Sequence, residues 1–231
     1  MTIGIMAISV VFMLLGMLVQ FRLKSKFKAY AAVPTSSGLS GKEVAEKMLK
    51  DNGIYDVQVV SVPGFLSDHY DPTQKTVNLS AEVFEGRNVS AAAVAAHECG
   101  HAVQHATAYS MLQLRSKLVP ITQLSTNLSQ WVILAGIGMM GFGGGNQTIL
   151  LIGIVMFAVT TVFTLVTLPV EFDASARALK WLETAHITRN VEQENAKDAL
   201  KWAALTYVVA AISSVAMLLY YVMIYNSRSR D

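Results

Sequence analysis

Between Leu118 and Val170 the chain carries no Lys, Arg, Asp or Glu, and only the glycine-rich run GFGGGNQ breaks its apolar character. Such a stretch cannot face water along its length. In lipid every backbone polar group must be paired inside the segment, which restricts it to helix. It reads as a tight membrane hairpin, crossing once over about residues 128 to 145 and again over 148 to 170. Two more apolar stretches, residues 2 to 20 and 203 to 225, are close to the ~17 to 25 residues that a helix needs to span hydrocarbon. The 53% hydrophobic content of the 231 residues agrees with this and exceeds that of ordinary soluble domains. The expected fold class is a mostly α membrane protein with about four transmembrane helices and a small α+β domain.

Charge sets the orientation. The first apolar stretch has no basic residue before it, unlike a signal peptide, and reads as a retained anchor. Arg22, Lys24, Lys26 and Lys28 follow it, and five further basic residues lie in 171 to 202. The positive-inside rule places both regions in the cytosol. The glycine turn near residue 143 and the tail with Arg228 and Arg230 then lie outside. The expected location is a bacterial-type plasma membrane, crossed several times. A net charge of +2 gives no reason to expect a nucleic-acid partner. The single cysteine, Cys99, cannot form an internal disulfide.

The expected organisation is an anchor over 1 to 21, a cytosolic domain over 22 to 127, the hairpin over 128 to 170, a cytosolic helical segment over 171 to 202, and a final membrane helix and tail over 203 to 231. Within the domain, Ser40 and Glu43 have capping-box spacing and Asn52-Gly53 a stop signal, predicting a helix over 41 to 50. YDVQVVSV and HYDPTQKTVNLS predict about three short strands. A second helix is expected from Asn88 or Ser90 to about Ala108, and a third over 112 to 126, interrupted or bent at Pro120.

The second of these helices carries AAAVAAHECGHAVQHA. Positions i and i+4 lie on one helical face, so His97 and His101 can direct two imidazoles at one metal ion, with Glu98 beside them. This is the H-E-x-x-H pattern, in which zinc acidifies a water and the glutamate takes its proton during attack on a carbonyl. The rival reading is two core histidines with ordinary partners. His105 continues the series, but eight residues of helix rise about 12 Å, too far for it to share an ion with His97. Cys99 points away from the His97 face and reads as a packing residue.

A catalytic zinc usually keeps three protein ligands, so one must come from elsewhere. Glu171, Asp173, Glu183, His186, Glu192 and Glu194 are candidates. Glu171 leads, because it follows the hairpin at once, at the start of the helical run PVEFDASARALKWLE. Asp173 and Arg177, at i and i+4, are either an ion pair or a means of orienting a ligand.

The order of N-terminal anchor, HECGHAVQHA, apolar hairpin, LPVEFDASARAL and final membrane segment resembles the YugP-like membrane protease family of neutral zinc metallopeptidases, over nearly the whole chain. It is similar, more distantly, to the HtpX-like and prenyl-protein membrane proteases, which share the gluzincin scheme. The resemblance implies His97, His101 and Glu171 as ligands of one Zn2+ per chain and Glu98 as general base. The HtpX-like pattern has an Asp four residues after the third ligand, where this chain has Ser175.

The activity expected is hydrolysis of peptide bonds by a membrane-embedded zinc endopeptidase, acting on polypeptides that include membrane proteins. The alternative is a zinc-binding membrane scaffold or assembly factor without catalysis. An ion transporter would need ionisable residues in its spans. An edge strand is expected to hold substrate by main-chain hydrogen bonds, with KTVNLS, directly upstream of the histidine-bearing helix, as the candidate and an ordinary strand of the sheet as the equal alternative. Tyr109, Arg177, His186 and His69 are candidate donors to the developing oxyanion.

Overall fold

Alanine is the strongest helix former, and Asn88 is a favoured N-cap. The run after Asn88 accordingly forms a helix, Val89–Ala106, with the Asn88 side chain accepting from the Ala91 amide at 2.9 Å. Its first two turns are buried on every side, so their small side chains let neighbouring elements approach closely. The structure is a computed structural model that describes residues 2–141 and 147–228.

In chain order the elements are α1 (Thr2–Ala31), α2 (Gly41–Asp51), β1 (Gln58–Val62), β2 (His69–Asp71), β3 (Thr76–Ser80), α3 (Ala81–Glu85), α4 (Val89–Ala106), α5 (Ser110–Gly141), α6 (Thr148–Thr184) and α7 (Val191–Arg228). The architecture is mostly helical with one small sheet. Two compact units divide it: Met1–Leu18, Leu114–Leu168 and Tyr207–Asp231 form one, and Val19–Gln113 with Pro169–Thr206 form the other.

In the second unit, α2 begins with the capping box its sequence announces. The Glu43 amide donates to Ser40 Oγ at 3.3 Å, and the Ser40 amide donates to the Glu43 carboxylate at 2.7 Å. Its face of Val44, Ala45, Met48 and Leu49 packs against α4, and Leu79, Leu182 and Ile187 complete the same core. Burying a Val, Leu, Ile or Met side chain contributes about 1.5–3 kcal/mol. The Cys99 thiol lies in this core, fully buried and donating to the Ala45 carbonyl at 3.5 Å, and burial pushes its pKa well above that of a free thiol.

One expectation needs correction. KTVNLS is not an edge strand: the sheet order is β1-β3-β2, so β3 pairs with β1 in parallel on one side and β2 antiparallel on the other. Past the end of β2, the Ser80 amide donates to the Asp68 carboxylate at 2.7 Å. The outer edges belong to β1 and β2. Of the two outcomes expected at Pro120, interruption is excluded, because the helix that contains it is continuous. Its ring removes one donor, yet α5 continues to Gly141.

In the first unit Ile133, Leu150, Ile154, Tyr221 and Ile224 form a small buried cluster, yet the outer faces are apolar too. Ile3, Met6, Leu14, Trp131, Ile152, Val155 and Leu219 are exposed, while Thr161 is buried and its hydroxyl accepts from Ser214 at 2.7 Å. Small residues mark the closest helix contacts: a Cβ on Gly136 would stand 2.7 Å from the Leu150 backbone. Both features characterise helices packed in lipid. Among the described residues, three helices are long and apolar enough to cross a membrane, Ile3–Ala31, Thr148–Thr184 and Val191–Ser227. The expected glycine turn near residue 143 lies outside the described residues, as does Arg230.

Candidate metal centre

Two helices bring the donors together. On α4, His97 and His101 stack one turn apart, their ring centroids 4.9 Å apart and nearly perpendicular. On α6, Val170, Glu171, Ala174, Ser175, Ala178 and Leu182 form one buried stripe. A glutamate on such a stripe is sustained only by a strong partner, because burying an unpaired carboxylate costs several kcal/mol. The partners are the histidines: Glu171 Oε2 lies 3.4 Å from His97 Nε2 and 3.6 Å from His101 Nε2.

Donor atoms of His97, His101 and Glu171 all lie within 4.8 Å of one another. A tetrahedral zinc with bonds of about 2.0–2.1 Å has ligand-to-ligand edges of about 3.3–3.4 Å, and the two Glu171–histidine separations of 3.4 and 3.6 Å are near that value. Two imidazoles and one carboxylate are also the donor chemistry of a catalytic zinc site. The imidazoles keep 13% and 12% of their surface exposed, enough for a fourth ligand to enter.

The histidines are held from behind. His97 Nδ1 is 3.2 Å from the Ser175 hydroxyl, and His101 Nδ1 is 3.0 Å from Gln104 Oε1. Gln104 Nε2 donates to the Val170 carbonyl and to Asp173 Oδ2, each at 2.8 Å. Asp173 in turn accepts from Arg177 Nε at 2.6 Å, and the Arg177 guanidinium lies 5.7 Å from the Tyr109 ring centre. Asp173 therefore contacts neither histidine directly.

The other sequence candidates fall elsewhere. Glu183 lies twelve residues beyond Glu171 on α6, a rise of about 18 Å. His186 is exposed in the turn after α6, and Glu194 is exposed in the first turn of α7. Glu192 accepts from the Ser36 amide at 3.0 Å. His105 stands beside Tyr70 of β2, with ring centroids 6.1 Å apart. His69 is engaged with the Ser67 carbonyl at 2.8 Å. Glu98 is half-buried on α4 next to His97.

Three positions escaped the sequence reading. Gln104 sits three residues after His101, where a helix brings the two side chains together. Ser175, four residues after Glu171 on the same buried stripe, faces His97 Nδ1. Gly100 is the point of closest approach between α4 and α6: a Cβ there would stand 2.6 Å from the Ala174 carbonyl oxygen. A lone glycine in an alanine-rich helix was the available signal.

Burial works against a charge on His101, but hydrogen bonding to Glu171 and the charges of Glu98 and Glu171 outweigh it, raising its pKa above the ordinary 6.5. Zinc takes neutral imidazole, so metal binding must release that proton. Apparent zinc affinity should therefore rise by about tenfold per pH unit up to the raised pKa, and should still be rising above pH 6.5. Chelator competition between pH 5.5 and 8.5 reads this directly, and a plateau reached below pH 6.5 would contradict it.

Among the described residues the chain combines a donor set able to hold a metal ion with three helices long and apolar enough to cross a membrane, the features of a membrane metalloprotein class. The chain belongs to the family described as "Putative neutral zinc metallopeptidase", which matches residues 5–226. It is 42% identical over 213 residues to "Putative membrane protease YugP" of Bacillus subtilis (strain 168), covering 92% of each chain. No solved structure matches.

Proposed function

We propose that the chain is a multi-pass membrane zinc endopeptidase of gluzincin type, with His97, His101 and Glu171 as ligands and Glu98 as general base. The observation that carries this reading is Glu171: a buried carboxylate from α6 set against both histidines of an H-E-x-x-H helix at zinc-compatible spacing.

A zinc ion held by these residues supplies a Lewis acid that acidifies water and polarises a peptide carbonyl. Glu98 accepts the proton of the attacking water and returns it to the amide nitrogen as the C–N bond breaks. Ser175 and Gln104 hold the two imidazole rings. The Asp173 ion pair occupies Arg177 at its Nε, so oxyanion donation from this residue would have to use its terminal nitrogens. The edge strand β2, whose Tyr70 reaches His105 on α4, replaces β3 as the strand on which an extended polypeptide would lie.

The uncharged part of α5 from Leu118 onward makes a fourth crossing. The two crossings of the hairpin then form an insertion between the two parts of a zincin-like catalytic unit. The basic residues that follow the first apolar stretch favour a cytosolic location for the catalytic residues of a plasma-membrane protein. Membrane proteins and their near-membrane segments are the substrates this position favours.

Chelation tests the reading. Purified protein should cleave an unstructured substrate such as casein, lose that activity with 1,10-phenanthroline, and regain it on addition of one equivalent of zinc. Cleavage indifferent to chelation would overturn the proposal. Zinc bound without any cleavage would favour the scaffold reading.

A further inference from the structure

The Gln104 side chain is fully buried, and both ends of its amide are engaged. On one side it faces the Val170 carbonyl and the Asp173 carboxylate. A backbone carbonyl can only accept, and so can a carboxylate already accepting from Arg177. The end of the amide that faces them must therefore be its NH2, and the end that faces His101 must be its oxygen. That oxygen can only accept, so His101 Nδ1 must carry hydrogen. The ring is thereby obliged to present its other nitrogen, Nε2, to Glu171 and to the metal position.

We propose that Gln104 is a positioning residue that sets both the tautomer of His101 and the spacing between His101 and Glu171. This inference rests on the zinc site proposed above. The second part follows from the anchor: Val170 immediately precedes Glu171, so one amide ties the ring of one ligand on α4 to the backbone beside another on α6. Asp173 and Arg177 act through Gln104 by holding its NH2 end. His97 has no equivalent constraint, because the Ser175 hydroxyl can accept or donate. His101 is thus the fixed member of the pair.

The test compares wild type with Gln104→Met, which keeps the length without the amide, and Gln104→Glu. The carboxyl of Gln104→Glu keeps an oxygen acceptor toward His101 Nδ1 while losing the two N–H bonds to Val170 and Asp173. Zinc affinity is measured by chelator competition, and cobalt is substituted to record its d–d spectrum. Gln104→Met is expected to bind zinc about 10- to 100-fold more weakly with an altered cobalt spectrum, and Gln104→Glu to recover part of the loss. A role in packing alone would lower the melting temperature of the metal-free protein while leaving zinc affinity and the cobalt spectrum as in wild type, and would overturn the inference. So would Gln104→Glu binding as poorly as Gln104→Met. If wild type itself binds no zinc, the zinc-site reading fails, which is a separate result from equal binding by all three.

Discussion

Glu98→Gln is expected to retain one zinc per chain with near wild-type affinity and to cleave casein about 10²- to 10⁴-fold more slowly. The two halves of this expectation have different grounds. Retention follows because Glu98 is not among the grouped metal donors, and the amide replaces the carboxylate at almost unchanged volume. The rate loss follows because an amide cannot accept a proton from water at neutral pH, whereas Glu98 lies beside His97 on the ligand-bearing helix. The charge of Glu98 also helps hold the His101 proton. Its removal should therefore shift the pH dependence of zinc binding slightly downward, a signature separate from turnover. Full activity in the variant would remove Glu98 from the reaction, and loss of zinc would make it part of the metal site instead.

Gly100→Ala is expected to cost at least ten- to a hundredfold in zinc affinity, although it adds only one methyl group and improves the local helix propensity by about 1 kcal/mol. The methyl carbon would stand 2.6 Å from the Ala174 carbonyl oxygen and 3.1 Å from its Cα. These are backbone atoms, which cannot rotate aside. The helices must separate, and overpacking of this kind costs about 1–3 kcal/mol. The separation falls on the turn of α6 that carries Glu171 and Ser175, so it stretches the donor spacing, and metal sites tolerate only about ±0.2 Å in ligand distance. Gly138→Ala is the control, since a Cβ there meets nothing within 4 Å. Circular dichroism should show both variants helical, with only Gly100→Ala impaired in zinc titration.

These two residues also mark what could be read from the sequence. Glu98 was legible because the pentapeptide fixes its neighbours through helical periodicity alone. The same holds for the Ser40–Glu43 box of α2 and for Asn88 as the N-cap of α4, where signal and consequence lie within four residues. Gly100 was not legible as a contact, because what crowds it is the backbone of a helix that follows a long apolar insertion. The position of KTVNLS just before the histidine-bearing helix suggests a strand open to substrate, while its pattern fits an ordinary sheet strand equally well. Its polar positions are instead buried and satisfied, Asn78 by the Thr76 hydroxyl at 2.9 Å and Ser80 by Asp68. Pairing order in a sheet depends on where the intervening loop delivers the next strand, and local pattern does not encode that. Glu171 stood out among six candidates by its position after the hairpin. Asp173, legible as an ion pair with Arg177 or as a group that orients a ligand, does both: it pairs with Arg177 and reaches His101 through Gln104, which sequence spacing does not reveal.

The most direct test is zinc K-edge X-ray absorption on the purified protein, with metal content measured on the same sample. One zinc per chain should show only nitrogen and oxygen neighbours at about 2.0–2.2 Å, with the multiple-scattering pattern of two imidazoles and no sulfur near 2.3 Å, since Cys99 is buried against Ala45. A sulfur shell, a single imidazole, or the absence of stoichiometric zinc would contradict the assignment of His97, His101 and Glu171.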